Sequence, residues 1–119
     1  MSQRAKILIV EDDTLIAQEM VERVERLGYA ALGPAHTIEA AEQAAARERP
    51  DAALLDGNLH GRSSVELGAA LAAAGVPIAF CTGDPTVRGL PPQLAKVMVL
   101  IKPVSDDQLR AALLKMLQR

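Results

Sequence analysis

KILIVEDDTLIAQEMVERVERLG, residues 6–28, changes its apolar period once, and that change decides the fold. Ile7 to Val10 are apolar without a break, as in a strand buried on both faces. The strand is expected over residues 5–10. From Thr14 to Leu27 the apolar residues Ile16, Met20, Val24 and Leu27 recur at helical spacing. Asp13 or Thr14 can cap the orphan amides of that helix, and Gly28 suits the position just past its end. A strand leading straight into an amphipathic helix is half of a βαβ unit.

The alternation continues along the chain. Tyr29 to Gly33 predicts a weaker second strand, stopped by Gly33-Pro34. Thr37 is placed to cap a second helix reaching Arg47. Pro50 opens a third strand, Asp51 to Leu55. Ser63 and Glu66 have capping-box spacing ahead of a third helix that ends at Gly75. Residues 77–81 and 97–101 predict the fourth and fifth strands. Between them DPTVRGLPPQL holds three prolines and a glycine, so a helix there is short or irregular. Ser105 with Gln108 forms a second capping box, and Leu109, Ala112, Leu113, Met116 and Leu117 line one face of a closing helix. Five such units predict an α/β fold of flavodoxin-like (βα)5 type. It is a doubly wound parallel sheet in the order 2-1-3-4-5, with residues 1–119 as one domain.

Composition narrows the function classes. The chain has 119 residues, half of them apolar, with one Phe, one Tyr and no Trp, so the core is aliphatic. A net charge of −2 offers no footprint for nucleic acid, and no run of 18 apolar residues predicts a membrane span. MSQRAK leads directly into a strand pattern, against a signal peptide, and a cytoplasmic protein is expected. The lone Cys81 reads as a small buried hydrophobe, and Met98 and Met116 as core filler.

Polar residues stand at the carboxyl ends of the strands. Glu11-Asp12 follow the first, Asp56 the third, Thr82 the fourth and Lys102 the fifth. Ligands of open parallel sheets bind there, where the strand order reverses. Carboxylates gathered in one place repel, and a small hard cation, Mg²⁺ best of all, relieves them. Asp56 is then placed to attack a phosphoryl group as a carboxylate nucleophile. Lys102 and the cation would hold the equatorial oxygens, and Thr82 would hydrogen-bond one of them.

With ILIVEDD, LLDGN, FCTGD and LIKPV in this order, the chain resembles the receiver domain of two-component response regulators over essentially its whole length. The resemblance implies that Asp56 is the phosphoacceptor, with Glu11 and Asp12 as the acidic pair that holds Mg²⁺. The backbone carbonyl of Asn58 would complete the metal shell. Thr82 matches the hydroxyl switch residue, Gly83 the small residue that keeps the phosphate accessible, and Lys102 the phosphate-contacting lysine. The family's often-cis bond falls at Lys102-Pro103. The partners implied are a sensor histidine kinase or a phosphotransfer protein, and a downstream protein target. FCTGD also resembles the FATG-motif single-domain subgroup, which would favour a kinase of HWE type. Departures concern output. Val99 stands where an aromatic is common, His60 where a proline is common, and Asp84-Pro85 follow the motif where an aromatic is common. Asn58 and Asp84, each two residues past a site residue, are expected to set the lifetime of the acyl phosphate. His60 reads as a solvated loop residue, with modulation of that lifetime as the alternative, and His36 as a loop residue.

The function expected is phosphorelay signalling, in which phosphorylation of Asp56 switches protein–protein contacts. No catalysis is expected beyond the chain's own phosphorylation and autodephosphorylation. A phosphate sink or a phosphorelay intermediate stays open. In a different class, a Mg²⁺-dependent aspartyl phosphatase would want a second acid where Asn58 stands. A flavodoxin-like electron carrier would want a hydroxyl-rich loop after the first strand and aromatics to stack on flavin.

Overall fold

Strands that bury both faces sort their side chains by parity, and the first strand shows the sorting. Leu8 and Val10 enter one apolar cluster, Ile7 and Ile9 the other. The computed structural model describes residues 4–83 and 90–118. Its elements in chain order are β1 (Lys6–Val10), α1 (Thr14–Arg26), β2 (Ala30–Ala35), α2 (Ile38–Arg47), β3 (Ala52–Asp56), β4 (Asn58–Leu59), β5 (Arg62–Ser63), α3 (Val65–Ala73), β6 (Ile78–Thr82), a 3₁₀ turn (Pro92–Leu94), β7 (Met98–Ile101) and α4 (Asp106–Leu117).

The main sheet is parallel, in the order β2-β1-β3-β6-β7. This is the order expected from the sequence, with β6 and β7 as the fourth and fifth main strands. On one face Leu8, Val10, Ala53, Leu55, Ile78 and Phe80 meet Ala41 of α2 and Leu67 and Leu71 of α3. On the other, Ile7, Ile9, Leu54, Ala79 and Cys81 meet Val24 of α1 and Leu109, Leu113 and Met116 of α4. Helix ends follow their local chemistry. Asp13 Oδ1 accepts from the amides of Leu15 and Ile16, Thr37 Oγ1 accepts from Ala40, and Ser105 with Gln108 closes a full capping box. Gly28, just past α1, has φ +102°, the left-handed region that glycine enters without penalty.

Three expectations are corrected. β2 does not stop at Gly33-Pro34 but runs through it to Ala35. β2 is an edge strand, where a proline's missing N–H costs no ladder bond. The register shifts there, Leu8 pairing Leu32 and Val10 pairing Ala35, so two residues face one as in a β-bulge. The Gly33–Pro34 peptide is cis, as is Lys102–Pro103. Second, the Ser63–Glu66 box does not close. Ser64 is the residue before α3 and makes no side-chain cap, while Ser63 Oγ accepts from Val65 N at 3.2 Å. Third, Ile16 is 40 % exposed, and Ala17 takes its place in the buried stripe of α1.

Gly33 joins these features, with φ +93° and crowding by backbone on both sides. A Cβ there would lie 2.7 Å from Ala35 N and 3.1 Å from Ile9 O. Neither atom can move without breaking the β1–β2 pairing. Gly33→Ala is expected to lower unfolding free energy by about 2 kcal/mol. Urea titration reads the loss, and a midpoint equal to wild type would refute this account of the bulge.

Candidate functional site

Strand register brings the polar tips together. β1 and β3 pair Val10 with Leu55, so the next step sets Glu11 beside Asp56. Asp56 pairs with Cys81 on β6, and Thr82 with Ile101 on β7, one residue before Lys102. Parity then divides them. Glu11 and Asp56 continue the Ile9/Leu54 face, and Lys102 continues that of Leu100, so the three converge on the α1/α4 side. Thr82 continues the opposite, Phe80 face and is buried against the turn after β3. A Cβ built on Gly57 would sit 3.6 Å from its Oγ1.

One carboxylate oxygen each from Glu11, Asp12 and Asp56 lies within 4.8 Å of the others. Lys102 Nζ donates to Glu11 Oε1 at 2.7 Å and to Asp56 Oδ2 at 3.2 Å. Its own amide donates to Thr82 O at 2.8 Å, which anchors the base of the lysine to the end of β6. Three hard carboxylate oxygens gathered this closely could hold a small hard cation.

The electrostatics follow from burial and neighbours. Glu11 is only 6 % exposed, and burial pushes its carboxyl up to about 7, against the pull of Lys102 and of the Asp13 N–H. Asp12 is held below the ordinary carboxylate value, first by the hydrogen bond from the His60 N–H. Burial alone would lower the Lys102 ammonium, but the Glu11 and Asp56 carboxylates outweigh it and hold it above its usual value. Cys81, beneath them, has its thiol pushed by burial up to about 12 and behaves as the core residue expected from the sequence.

Several supporting residues were not legible in the sequence. The extended β2 holds the Glu11 backbone on both sides. Glu11 N donates to Ala35 O at 2.9 Å, and His36 Nδ1 donates to Glu11 O at 2.9 Å. A carbonyl only accepts, so the His36 proton is on Nδ1. His36 is a loop residue, as expected, and its ring ties that loop to the Glu11 backbone. Ser64, fully buried, donates its hydroxyl to Asp56 O at 2.5 Å and fixes the backbone of the central aspartate. The segment after Asp56 is a hairpin, β4 paired antiparallel with β5. Within it Asn58 N donates to Asp56 Oδ1 at 3.1 Å, and Asn58 Oδ1 accepts from Gly61 N at 2.8 Å. A serine pair and a His-Gly dipeptide were the only sequence marks of these contacts. Among the described residues, nothing lies within 4 Å of a Cβ built on Gly83. Asp84 lies outside the described residues.

This fold and this site are those of a known class. Residues 7–114 match the response regulator receiver domain, and the chain belongs to that family. It is thus a receiver domain of two-component signalling, whose members in general accept a phosphoryl group on an aspartate. Similar solved structures include SdrG from Sphingomonas melonis Fr1, 34 % identical, with 99 % of this chain and 100 % of that one covered and a TM-score of 0.81. The receiver domain of PhyR from Erythrobacter litoralis is 26 % identical, with 98 % and 92 % covered and a TM-score of 0.79. A double mutant of the anti-anti-sigma factor PhyR from Bartonella quintana is also 26 % identical, with 98 % of this chain covered and a TM-score of 0.81. The chain spans 50 % of that protein's length. No curated protein sequence matches the chain. No helix among the described residues is long and apolar enough to cross a membrane.

The raised Glu11 carboxyl makes stability depend on pH. Its folded value, about 7, lies above the ordinary 4.5, so the folded state binds the proton more tightly. The stability this lends is complete below about pH 4.5 and is lost as pH rises through about 7. Urea unfolding in EDTA from pH 5 to 8 is expected to show wild type losing stability relative to Glu11→Gln. Parallel pH profiles for the two proteins would refute the buried, proton-holding state of Glu11.

Proposed function

We propose that the chain is a phosphorylation-driven signalling switch with Asp56 as acceptor and that it works with a divalent cation, Mg²⁺ by the chemistry of its oxygens. The observation that carries this reading is the ammonium of Lys102 seated between Glu11 and Asp56 within the three-carboxylate cluster. Glu11, Asp12 and Asp56 would hold the ion, with the Asn58 carbonyl as the further ligand the family implies. When bound, Mg²⁺ screens the carboxylates from one another and from an incoming phosphoryl group.

The reaction itself belongs to the side chains. An Asp56 carboxylate oxygen attacks phosphorus and forms an O–P bond. The N–P bond of a phosphohistidine donor breaks, and the imidazole leaves with its electron pair. Lys102 is already within 3.2 Å of Asp56 Oδ2 and can follow the charge as it spreads onto the phosphoryl oxygens. Thr82, beside the Gly57 turn, would donate its hydroxyl to one of those oxygens once the acyl phosphate exists. Gly83 would leave the approach open, as the family likeness implies. Ser64 holds the Asp56 backbone and Asn58 N–H one of its oxygens, so the nucleophile is positioned before the donor arrives.

The partners proposed are a sensor histidine kinase, of HWE type if the FATG-like motif is the guide, or a phosphotransfer protein. Output runs through a downstream protein, and the likeness to half of an anti-anti-sigma factor supports output by protein contact. A true phosphatase is disfavoured because Asn58 carries no acid and its amide oxygen is engaged by Gly61 N.

Incubation with acetyl phosphate and Mg²⁺, followed by intact mass, tests the proposal. One phosphoryl group is expected, absent in Asp56→Asn and absent in EDTA. Equal labelling of Asp56→Asn would overturn the assignment of the acceptor. Labelling that persists in EDTA would overturn the cation dependence.

A further inference from the structure

The turn joining β4 to β5 sets a histidine against the cation cluster. Asn58 pairs Ser63 and Leu59 pairs Arg62, which leaves His60-Gly61 as a two-residue turn. Both have positive φ, +51° and +82°, the mark of a type I′ hairpin turn. Asn, Asp or Gly is commonest at the first position of such a turn, and histidine is also among the residues enriched at positive φ.

The His60 N–H donates to Asp12 Oδ2 at 2.9 Å, and its ring Nδ1 lies 3.8 Å from the same oxygen. The ring is 64 % exposed, so solvent rather than packed side chains surrounds most of it. Two donors bound to one ion at about 2.1 Å and at right angles are roughly 3 Å apart. The ring nitrogen must close by less than about 1 Å to share an ion with Asp12, a movement within one side-chain rotation.

Resting on the cation site proposed above, we infer that His60 supplies a nitrogen ligand to the ion held by Glu11, Asp12 and Asp56, and so shifts the site's preference from Mg²⁺ toward borderline first-row ions such as Zn²⁺ and Co²⁺. An all-oxygen set suits Mg²⁺, whereas imidazole binds Zn²⁺ and Co²⁺ far better than it binds Mg²⁺. The hairpin brings the nitrogen to the rim of the cluster without placing it among the oxygens. Mg²⁺ can then bind with the ring turned out, and a borderline ion with the ring turned in.

The chain has only two histidines, so ring nitrogen NMR shifts can be read directly. Zn²⁺ added to the intact protein is expected to move one histidine's ring nitrogen to a metal-bound shift and leave that of His36 in place. Mg²⁺ is expected to move neither. In His60→Gly, which keeps the turn and relieves its φ, the metal-bound signal disappears and calorimetry shows Zn²⁺ affinity falling roughly tenfold, with Mg²⁺ affinity changed less than about twofold. His60→Asn, also suited to positive φ, should behave the same way, and thermal midpoints at or above wild type confirm that both variants fold. Equal Zn²⁺ affinity in wild type and His60→Gly would overturn the inference and leave the cation site standing. Failure of either ion to bind in a manner lost with Asp12→Asn would overturn the cation site and the inference together.

Discussion

Carboxylates cannot share a poorly hydrated pocket without a counter-charge, and the upper end of this sheet is built around that constraint. Glu11 and Asp56 stand side by side because parallel register leaves no alternative, and Lys102 reaches both. The ammonium offsets part of the repulsion, and a cation would offset the rest. Without Lys102 the buried Glu11 would have only backbone amides and a proton to neutralise it. The sheet order, the end of β7 and the anchoring of Lys102 N on Thr82 O all serve to deliver one ammonium to one place.

The surroundings hold that place still. The backbone of Glu11 is bonded on both sides by the end of β2 and the residue after it. The backbone of Asp56 is bonded by a buried serine, and Asp12 by the hairpin. On the α4 side, Arg23 of α1 ties down the segment after Lys102. It donates to Val104 O at 2.6 Å and pairs with Asp106 at 2.8 Å. The main chains of Glu11 and Asp56 are therefore fixed by rigid neighbours, while the hairpin holds Asp12 by its side-chain carboxylate.

Much of this was legible from residue order. Apolar runs marked the strands, and the residues just past them marked the site, because a parallel sheet brings its carboxyl ends to one edge. Asp13, Thr37 and Ser105 announced their caps through short-range chemistry. What escaped was tertiary. Gly33-Pro34 carries a stop signal that an edge strand can ignore, and so the link from β2 to Glu11 went unseen. Ser63 looked like a cap by spacing, yet its neighbour Ser64 has the structural role, because a carbonyl fifty-six residues into the chain needed a buried donor. His36 and His60 gave no periodic signal, since turns and loop contacts have none.

The hairpin after Asp56 has a further consequence. A connection paired as a two-rung ladder has given up its chain entropy before any visitor arrives. Capture of an ion or a phosphoryl group would then require little further ordering of that segment. A floppy connection of the same length would have to freeze at every encounter. Here the freezing has already happened during folding, and the pocket's responsiveness rests with the few atoms still able to turn.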